Sequence, residues 1–315
     1  MDEQTAQHVP ALLEPVLEAL KVRGDGIYID CTYGRGGHSR EILDRLGERG
    51  RLVAIDLDPE AIAHAGRRLG ADKRVTIRQA SFADVGELAE QLGIHGRVDG
   101  LFMDLGVSSP QLDSPERGFS FRTDGPLDMR MNPDQGESAT EWLARAEEAD
   151  IARVIKEYGE ERFARRIARS IVMARNEAPI ERTGQLAEIV ARAVGGPRSD
   201  RHPATRTFQA IRIHVNRELE ALDRALAAGI DLLAPGGRFA VISFHSLEDR
   251  RVKRAFQAAA RPPPASRRMP APAGFTPRLK LIGRLVRPTP DAERANPRAR
   301  SARLRVAEKL PGGQA

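Results

Sequence analysis

One short stretch near the amino terminus combines an acidic residue with a glycine-rich turn. Within residues 27–38, an apolar run ends at Asp30. A loop with three glycines among positions 34–37 follows it. Residues 39–46 follow with the apolar spacing of a helix. A strand, a glycine turn and a helix in this order allow backbone N–H groups to approach a ligand closely, because no Cβ intervenes. An ordinary strand–helix turn would explain the loop alone equally well.

Three further residues with chemical potential follow later apolar runs. Asp56 ends the second run, Phe82 follows the third and Asp104 ends the fourth. The carboxyl ends of parallel strands share one sheet edge, so we expect these residues to converge with Asp30. An acid there can bind ribose hydroxyls, and Phe82 could lie on an adenine ring, although a core position explains Phe82 as well.

The alternation of strand and helix patterns over the first 104 residues predicts an α/β fold with a mostly parallel sheet and helices on both faces. A lead-in helix precedes the first strand. The predicted strands of this region cover residues 27–31, 51–55, 75–77 and 98–103.

Turns and helices then replace this alternation. Several helical patterns, one opened by a capping box at Ser138, predict an inserted helical subdomain over residues 112–204. Residues 1–111 and 205–315 would form the core. The apolar stripe after Ala204 predicts one long helix to Ala228. The last predicted strands cover residues 239–242, 279–286 and 302–306, the last two as an antiparallel pair around a long connection.

Composition restricts the class of protein. The 315 residues are 30% charged and 4% aromatic, and the amino terminus shows no signal-peptide pattern. No window approaches the roughly 18 apolar residues of a membrane span. Cys31 is the only cysteine, which excludes an internal disulfide and suits a reducing compartment. We therefore expect a cytoplasmic protein with no membrane association.

Positive charge is concentrated in the last sixth of the chain. Residues 261–315 contain 13 Lys/Arg and 3 Asp/Glu, a local net charge of +10, whereas the whole chain has +6. Such a region suggests a polyanionic partner, most plausibly nucleic acid, although a solvated tail is an equal explanation.

The glycine loop fits two adenosine cofactors. Gly34 and Gly36 match the dinucleotide pattern G-x-G-x-x-G, but Ser39 stands at its third glycine. Asp56 lies 20 residues after Gly36, where an acid serves NAD and S-adenosylmethionine alike. S-adenosylmethionine is favoured because it has no phosphates and carries two cationic groups, which suit the converging acids.

A set of longer motifs resembles the bacterial 16S ribosomal RNA cytosine-N4 methyltransferase family. The motifs span nearly the whole chain in family-like order: Gly34-Arg35-Gly36-Gly37-His38-Ser39, Asp104-Leu105-Gly106-Val107-Ser108-Ser109-Pro110-Gln111, Arg117-Gly118-Phe119-Ser120-Phe121, Gly125-Pro126-Leu127-Asp128-Met129-Arg130-Met131, His202-Pro203-Ala204-Thr205-Arg206, Ser243-Phe244-His245-Ser246-Leu247-Glu248-Asp249-Arg250 and Asn296-Pro297-Arg298-Ala299-Arg300-Ser301.

The resemblance implies a class I, Rossmann-like S-adenosylmethionine-dependent methyltransferase with a helical insert that helps hold the substrate. It implies N4-methylation of a specific cytidine in the decoding region of 16S ribosomal RNA. The implied partner is 16S ribosomal RNA in the small ribosomal subunit, with a homodimer as one candidate assembly. The implied cofactor contacts come from Gly36, Gly37, His38, Asp56, Phe82, Asp104 and Gln111.

Methyl transfer to an exocyclic amine suggests roles for further residues. The amine is a weak nucleophile, so we expect Asp104, or a backbone carbonyl after it, to accept its hydrogen bond. Phe119 or Phe121 could stack on the base or be core residues. His245 could order the substrate or take the released proton, although a hydrogen bond that structures its loop is slightly favoured. Without clustered Cys/His ligands we predict no catalytic metal.

Phosphate contacts are expected from Arg198, Arg201, Arg206 and the basic carboxyl-terminal region. The competing interpretations are an amino-methyltransferase acting on DNA or another RNA, and a ribosome-assembly factor that uses the cofactor only structurally. An NAD oxidoreductase is the weakest alternative, because Ser39 replaces the third glycine.

Overall fold

The computed structural model describes residues 10–195, 202–262 and 274–312. The chain divides into two compact units, one from Val107 to Leu219 and the other formed by the residues before and after it. The predicted insert, 112–204, lies inside the unit from Val107 to Leu219, which we call the second unit. Arg198 and Arg201, which are predicted to contact phosphate, lie outside the described residues.

The unit formed by the two ends of the chain contains a seven-stranded sheet. Its strands follow the order β3-β2-β1-β4-β5-β7-β6. The first five are parallel, and β7 runs antiparallel to both β5 and β6. The predicted Rossmann-like, mostly parallel fold is therefore confirmed. The strands are β1 (Ile27–Asp30), β2 (Arg51–Asp56), β3 (Val75–Gln79), β4 (Val98–Asp104), β5 (Leu233–Ser243), β6 (Leu279–Val286) and β7 (Arg303–Lys309).

Thirteen α-helices occur in the described residues. Those before the second unit are α1 (Leu13–Leu20), α2 (Gly37–Arg45), α3 (Pro59–Leu69) and α4 (Val85–Gln91). The others are α5 (Ser109–Asp113), α6 (Ala139–Arg145), α7 (Glu148–Gly159), α8 (Ala164–Glu177), α9 (Thr183–Val194), α10 (Thr205–Val215), α11 (Glu218–Leu232), α12 (Ser246–Ala260) and α13 (Pro290–Ala295).

Alternating strand residues divide the core of the sheet-containing unit in two. On β4, Leu101 and Met103 pack with α4, α12 and the later turns of α11, whereas Phe102 packs with α1, α2 and α3. Successive side chains of a strand point to opposite faces, so a nearly continuous apolar strand indicates burial on both sides. The strand order changes direction between β1 and β4, because β2 and β3 lie on one side of β1 whereas β4 and β5 lie on the other. Ligands of open α/β sheets bind at such a topological switch point.

The carboxyl-terminal strand pair is confirmed, with β6 and β7 antiparallel. Their connection is partly ordered, because it contains α13 and a 3-10 turn over Pro297–Ser301. Ion pairs join β7 to α12: Asp249 accepts from Arg303 at 3.2 Å and from Arg305 at 2.7 Å. These arginines of the basic region therefore stabilise the sheet.

The second unit is helical, with one core formed mainly by α6 to α10. The capping box at Ser138 is confirmed: its hydroxyl accepts the N–H of Glu141 at 3.2 Å, and the Glu141 carboxylate accepts the N–H of Ser138 at 2.8 Å. Every helix in the described ranges is too short or too polar to cross a bilayer.

The prediction of one helix from Ala204 to Ala228 is wrong. The chain leaves α10 at Asn216 and restarts in α11, with Arg217 between them at a φ of 49°. The Asn216 side chain donates to the carbonyl of Met129 and accepts the N–H of Met131, both at 2.7 Å. These two hydrogen bonds fix a neighbouring loop at the break. The apolar stripe continues in phase across the break and so hides it.

Candidate active site

Asp30, at the end of β1, is buried and connects the strand to the glycine loop and to α2. One carboxylate oxygen accepts the Ser39 hydroxyl at 2.7 Å, and the other accepts the N–H of Thr32 at 3.1 Å. Burial raises the pKa of Asp30 to about 6, against the opposing effect of these hydrogen bonds. Ser39, which replaces the third glycine of a dinucleotide pattern, thus joins the helix to the strand.

Two glycines of the loop are required by close packing. Gly36 has a φ of +74°, and a Cβ there would lie 2.5 Å from the ring of Tyr33. A Cβ on Gly37 would lie 2.3 Å from Pro10. Gly36 caps α2 and provides no side-chain hydrogen bond to its first turn. The backbone N–H groups at this helix end are therefore suited to a ligand.

Asp56, at the end of β2, holds the glycine loop directly. One of its oxygens accepts the N–H of Gly34 at 2.7 Å, and the other accepts the N–H of Asp58 at 2.9 Å. Burial raises the pKa of Asp56 to about 6, and the two hydrogen bonds act in the opposite direction. Each oxygen retains a further lone pair, so the carboxylate can still accept hydroxyl groups of a ligand.

Asp104, at the end of β4, is held by its backbone while one carboxylate oxygen has no partner. Its N–H donates to the Thr32 hydroxyl at 2.6 Å. Among the described residues its buried Oδ1 has no hydrogen bond, and Oδ2 lies 3.9 Å from Nδ1 of His38. Burial raises the pKa of Asp104 well above its usual range, and the charges of Asp30 and Glu248 raise it further.

His38 has a buried side chain whose two ring nitrogens face Ala11 and Asp104. Its Nε2 donates to the carbonyl of Ala11 at 3.1 Å, and its ring centre lies 4.5 Å from that of Phe102. Because a carbonyl can only accept, Nε2 carries the proton and Nδ1 has the lone pair. Burial lowers the pKa of His38 to about 4, so the ring is neutral. Cofactor contact by His38 stays a prediction.

Phe82 and Gln111 lie in different compact units. Phe82 begins a 3-10 turn (Phe82–Asp84) and packs half-buried against the sheet core. Gln111 is buried in the capping box of α5, and its Oε1 accepts the N–H of Ser108 at 2.9 Å. The Ser-x-x-Gln spacing could have predicted that box. Cofactor contact by either residue stays a prediction.

The other candidate residues are engaged in packing or capping. Phe119 is buried in the helical core, and Phe121 packs edge-on against Phe208 with ring centres 4.7 Å apart. His245 caps α12, where its Nδ1 accepts the N–H of Glu248. The structure therefore supports the loop-structuring interpretation of His245 and a core position for Phe119.

Sequence reasoning missed Thr32 entirely. Its hydroxyl and its N–H bond to the ends of two strands, β4 and β1, and so fix the relative positions of Asp30 and Asp104. The only signal was a small hydroxyl residue two positions after an acid, a spacing typical of an Asx turn.

The strand order, the glycine turn and the acids at three strand ends define a methyltransferase of the class I, Rossmann-like type. More particularly, the chain belongs to the MraW methylase family, whose model matches residues 5–310.

Relatives of similar length support this membership. Each is named ribosomal RNA small subunit methyltransferase H. The protein from Thioalkalivibrio sulfidiphilus is 60% identical over 307 residues, which cover 96% of this chain and 97% of that protein. The one from Xanthomonas euvesicatoria is 54% identical, with coverage of 99% and 92%. The comparison with a solved S-adenosylmethionine-dependent methyltransferase from Aquifex aeolicus covers 98% of this chain and 95% of that chain, at 11% identity and a TM-score of 0.41.

Proposed function

We propose that the protein transfers a methyl group from S-adenosylmethionine to the N4 amine of a cytidine in the decoding region of 16S ribosomal RNA. The observation that carries the chemistry is the set of three acids at adjoining strand ends, Asp30, Asp56 and Asp104. None forms an ion pair with an arginine or lysine of the described residues, and the histidine nearest to Asp104 is neutral.

These acids fit the cofactor. The pKa of each is raised because burial disfavours its negative charge, and a cationic ligand bound beside these acids would lower their pKa and stabilise the charged carboxylates. The unpartnered Oδ1 of Asp104 is an acceptor suited to a charged or neutral N–H donor. The glycine loop and the uncapped start of α2 would hold the adenosine side, with Asp56 on ribose hydroxyls. When bound, S-adenosylmethionine supplies a methyl group on a cationic sulfur.

The protein's own residues would position the amine for attack. Cytosine N4 is a weak nucleophile, since its lone pair is delocalised into the ring. An acceptor at Asp104 that holds one N–H orients the amine and helps the lone pair localise on nitrogen. Thr32 keeps the Asp104 backbone in place during this step. Holding two reactants in an aligned geometry supplies much of the rate in such transfers.

The RNA target is proposed from the relatives, whose names state the small-subunit ribosomal RNA. The target position, the N4 atom, a cytoplasmic location and a homodimer remain predictions. The helical unit from Val107 to Leu219 is proposed to recognise substrate.

The test is methyl transfer to a panel of acceptors. The protein is incubated with isotope-labelled S-adenosylmethionine and either immature small subunits, naked 16S RNA or DNA, and the nucleosides are then analysed by mass spectrometry. The proposal predicts labelled N4-methylcytidine from the ribosomal substrate. Label in DNA or in another nucleoside would indicate a different methyltransferase. Binding without transfer would favour an assembly factor.

A further inference from the structure

Four arginines occupy the solvent-exposed side of α8 and of the residues that precede it. Arg162, Arg165, Arg166 and Arg169 are all exposed, whereas Ile167 and Ile171 of the same segment are buried in the helical core. At 3.6 residues per turn the three that lie in α8, Arg165, Arg166 and Arg169, fall within an arc of about 100°, and Arg162 lies in the turn just before the helix. They form one basic surface opposite the buried side, and we call it the α8 arginine face.

These four arginines lack acidic partners, unlike most of the other arginines in the helical unit. No carboxylate of the described residues pairs with any of the four. Arg206, expected to contact phosphate, lies 3.6 Å from Glu161. Further arginine–acid pairs among the described residues of this unit are Arg130–Asp128, Arg145–Glu137, Arg153–Asp150, Arg153–Glu157, Arg182–Asp124, Arg192–Glu188 and Arg212–Glu218.

An aromatic ring organises part of this face. The guanidinium carbons of Arg162 and Arg166 each lie 4.6 Å from the centre of the Phe163 ring. Stacking on a ring fixes the plane of a guanidinium but leaves its five N–H donors available. Planar guanidinium groups with free donors bind phosphate in a bidentate manner and stack on nucleic acid bases.

The position of the face in the helix is electrostatically unfavourable. Arg165 and Arg166 lie in the first turn of α8, which contains no acid and has no side-chain cap. The amino-terminal end of a helix carries partial positive charge, so cations there reduce stability. A bound polyanion would relieve this repulsion.

We propose that the α8 arginine face binds the phosphate backbone of the RNA substrate. This inference rests on the proposed function and adds a binding surface to it. From Arg165 to Arg169 the face extends about 6 Å along the helix, at 1.5 Å per residue, which exceeds the roughly 3.4 Å between successive charges along one strand of a duplex. An RNA backbone is favoured over an acidic protein because the proposed substrate is RNA and its closely spaced phosphates present several negative charges along the length of the face.

The test reverses two charges of the face in the full-length protein. In R165E/R166E the affinity for a 16S RNA transcript falls at least tenfold at moderate salt. The slope of log affinity against log salt becomes shallower by about 1.4, since each lost single-strand contact removes about 0.7. The same loss occurs with a single-stranded uridine oligonucleotide, which keeps this test independent of whether the transcript is methylated. The unfolding midpoint does not fall, because acids suit the first turn of a helix.

The matched control is R153E/R192E, which makes the same charge change in the same unit at arginines already paired with acids. In this control variant the salt slope changes by less than half of the change seen for R165E/R166E. R165K/R166K retains the charges and restores the slope. The proposal is overturned if R165E/R166E binds RNA with the wild-type slope, or if the control or the lysine variant loses as much. Normal binding by this face with no methyl transfer by the wild-type protein would instead contradict the proposed function.

Discussion

The hydroxyl of Thr32 accepts the backbone N–H of Asp104 at 2.6 Å and joins the loop after β1 to the end of β4. The N–H of the same threonine donates to Asp30. One small residue thus sets the spacing of two of the three acids at the strand ends. A substitution that keeps the volume of Thr32 but removes its hydroxyl should therefore reduce cofactor affinity more than it reduces the stability of the fold.

Thr32→Val should weaken S-adenosylmethionine binding roughly tenfold. The N–H of Asp104 would lose its acceptor, and an unsatisfied polar group in a partly buried site costs about 1–3 kcal/mol. Thr32→Ser keeps the hydroxyl and is the control. Titration calorimetry on both variants checks this expectation, and equal affinities for them would show that the hydrogen bond does not position Asp104.

Asp30 should make the protein more stable in mild acid than at neutral pH. Its pKa is about 6 in the folded protein and near 4 when unfolded, so the folded state binds more protons between those values. The stabilisation is complete below pH 4 and is lost as the pH rises through 6. A shift of about two pKa units corresponds to about 3 kcal/mol.

Chemical unfolding between pH 4 and 7 measures this contribution. Other carboxyl groups titrate in the same range, so the wild-type curve is compared with that of Asp30→Asn. Between pH 4 and 7 the free energy of unfolding should fall by up to about 3 kcal/mol less in the variant than in the wild-type protein. Parallel curves for the two proteins would contradict the raised pKa of Asp30.

Gly36→Ala should destabilise the protein more than the same change at Gly136. Both glycines have a φ near +75°, but a Cβ at Gly36 would meet the Tyr33 ring, whereas Gly136 has open space around it. The backbone cost shared by both is about 1–2 kcal/mol. Thermal unfolding gives the difference, which is the steric part. Gly36→Ala should also lose cofactor affinity, and an equal effect at both positions would exclude tight packing of the loop.

His38 should remain neutral throughout the working pH range. Burial lowers its pKa to about 4, and its Nε2 proton is donated to the Ala11 carbonyl. Nuclear magnetic resonance of the imidazole should show no titration between pH 5 and 8, with the proton on Nε2. A titration near pH 6.5 would mean that the ring is exposed and could act as a base.

The sheet and the position of its acids could be predicted well from the sequence. A strand buried on both faces is a short run of apolar residues, and the acid that ends it is its immediate neighbour, so both are visible within a few residues. Asp56 and Asp104 were found by that logic. The inward direction of the His38 ring could not be predicted, since it depends on Ala11 and Phe102, which are remote in sequence.

The break between α10 and α11 was missed for a related reason. It depends on hydrogen bonds from Asn216 to residues more than 80 positions earlier. No periodicity within the helix records such partners. The carboxyl-terminal charge was visible in composition, but its ion pairs with Asp249 and Asp231 were not.

The most direct test of the site is Asp104→Asn, with S-adenosylmethionine affinity and methyl transfer to small subunits measured on the same preparation. Burial already disfavours the charge of Asp104, so the amide should not lower the unfolding midpoint. We expect cofactor affinity or the transfer rate to fall at least tenfold, because the amide cannot carry a negative charge beside a cationic cofactor and replaces one acceptor oxygen by an N–H donor. Full affinity together with full transfer by Asp104→Asn would contradict this role.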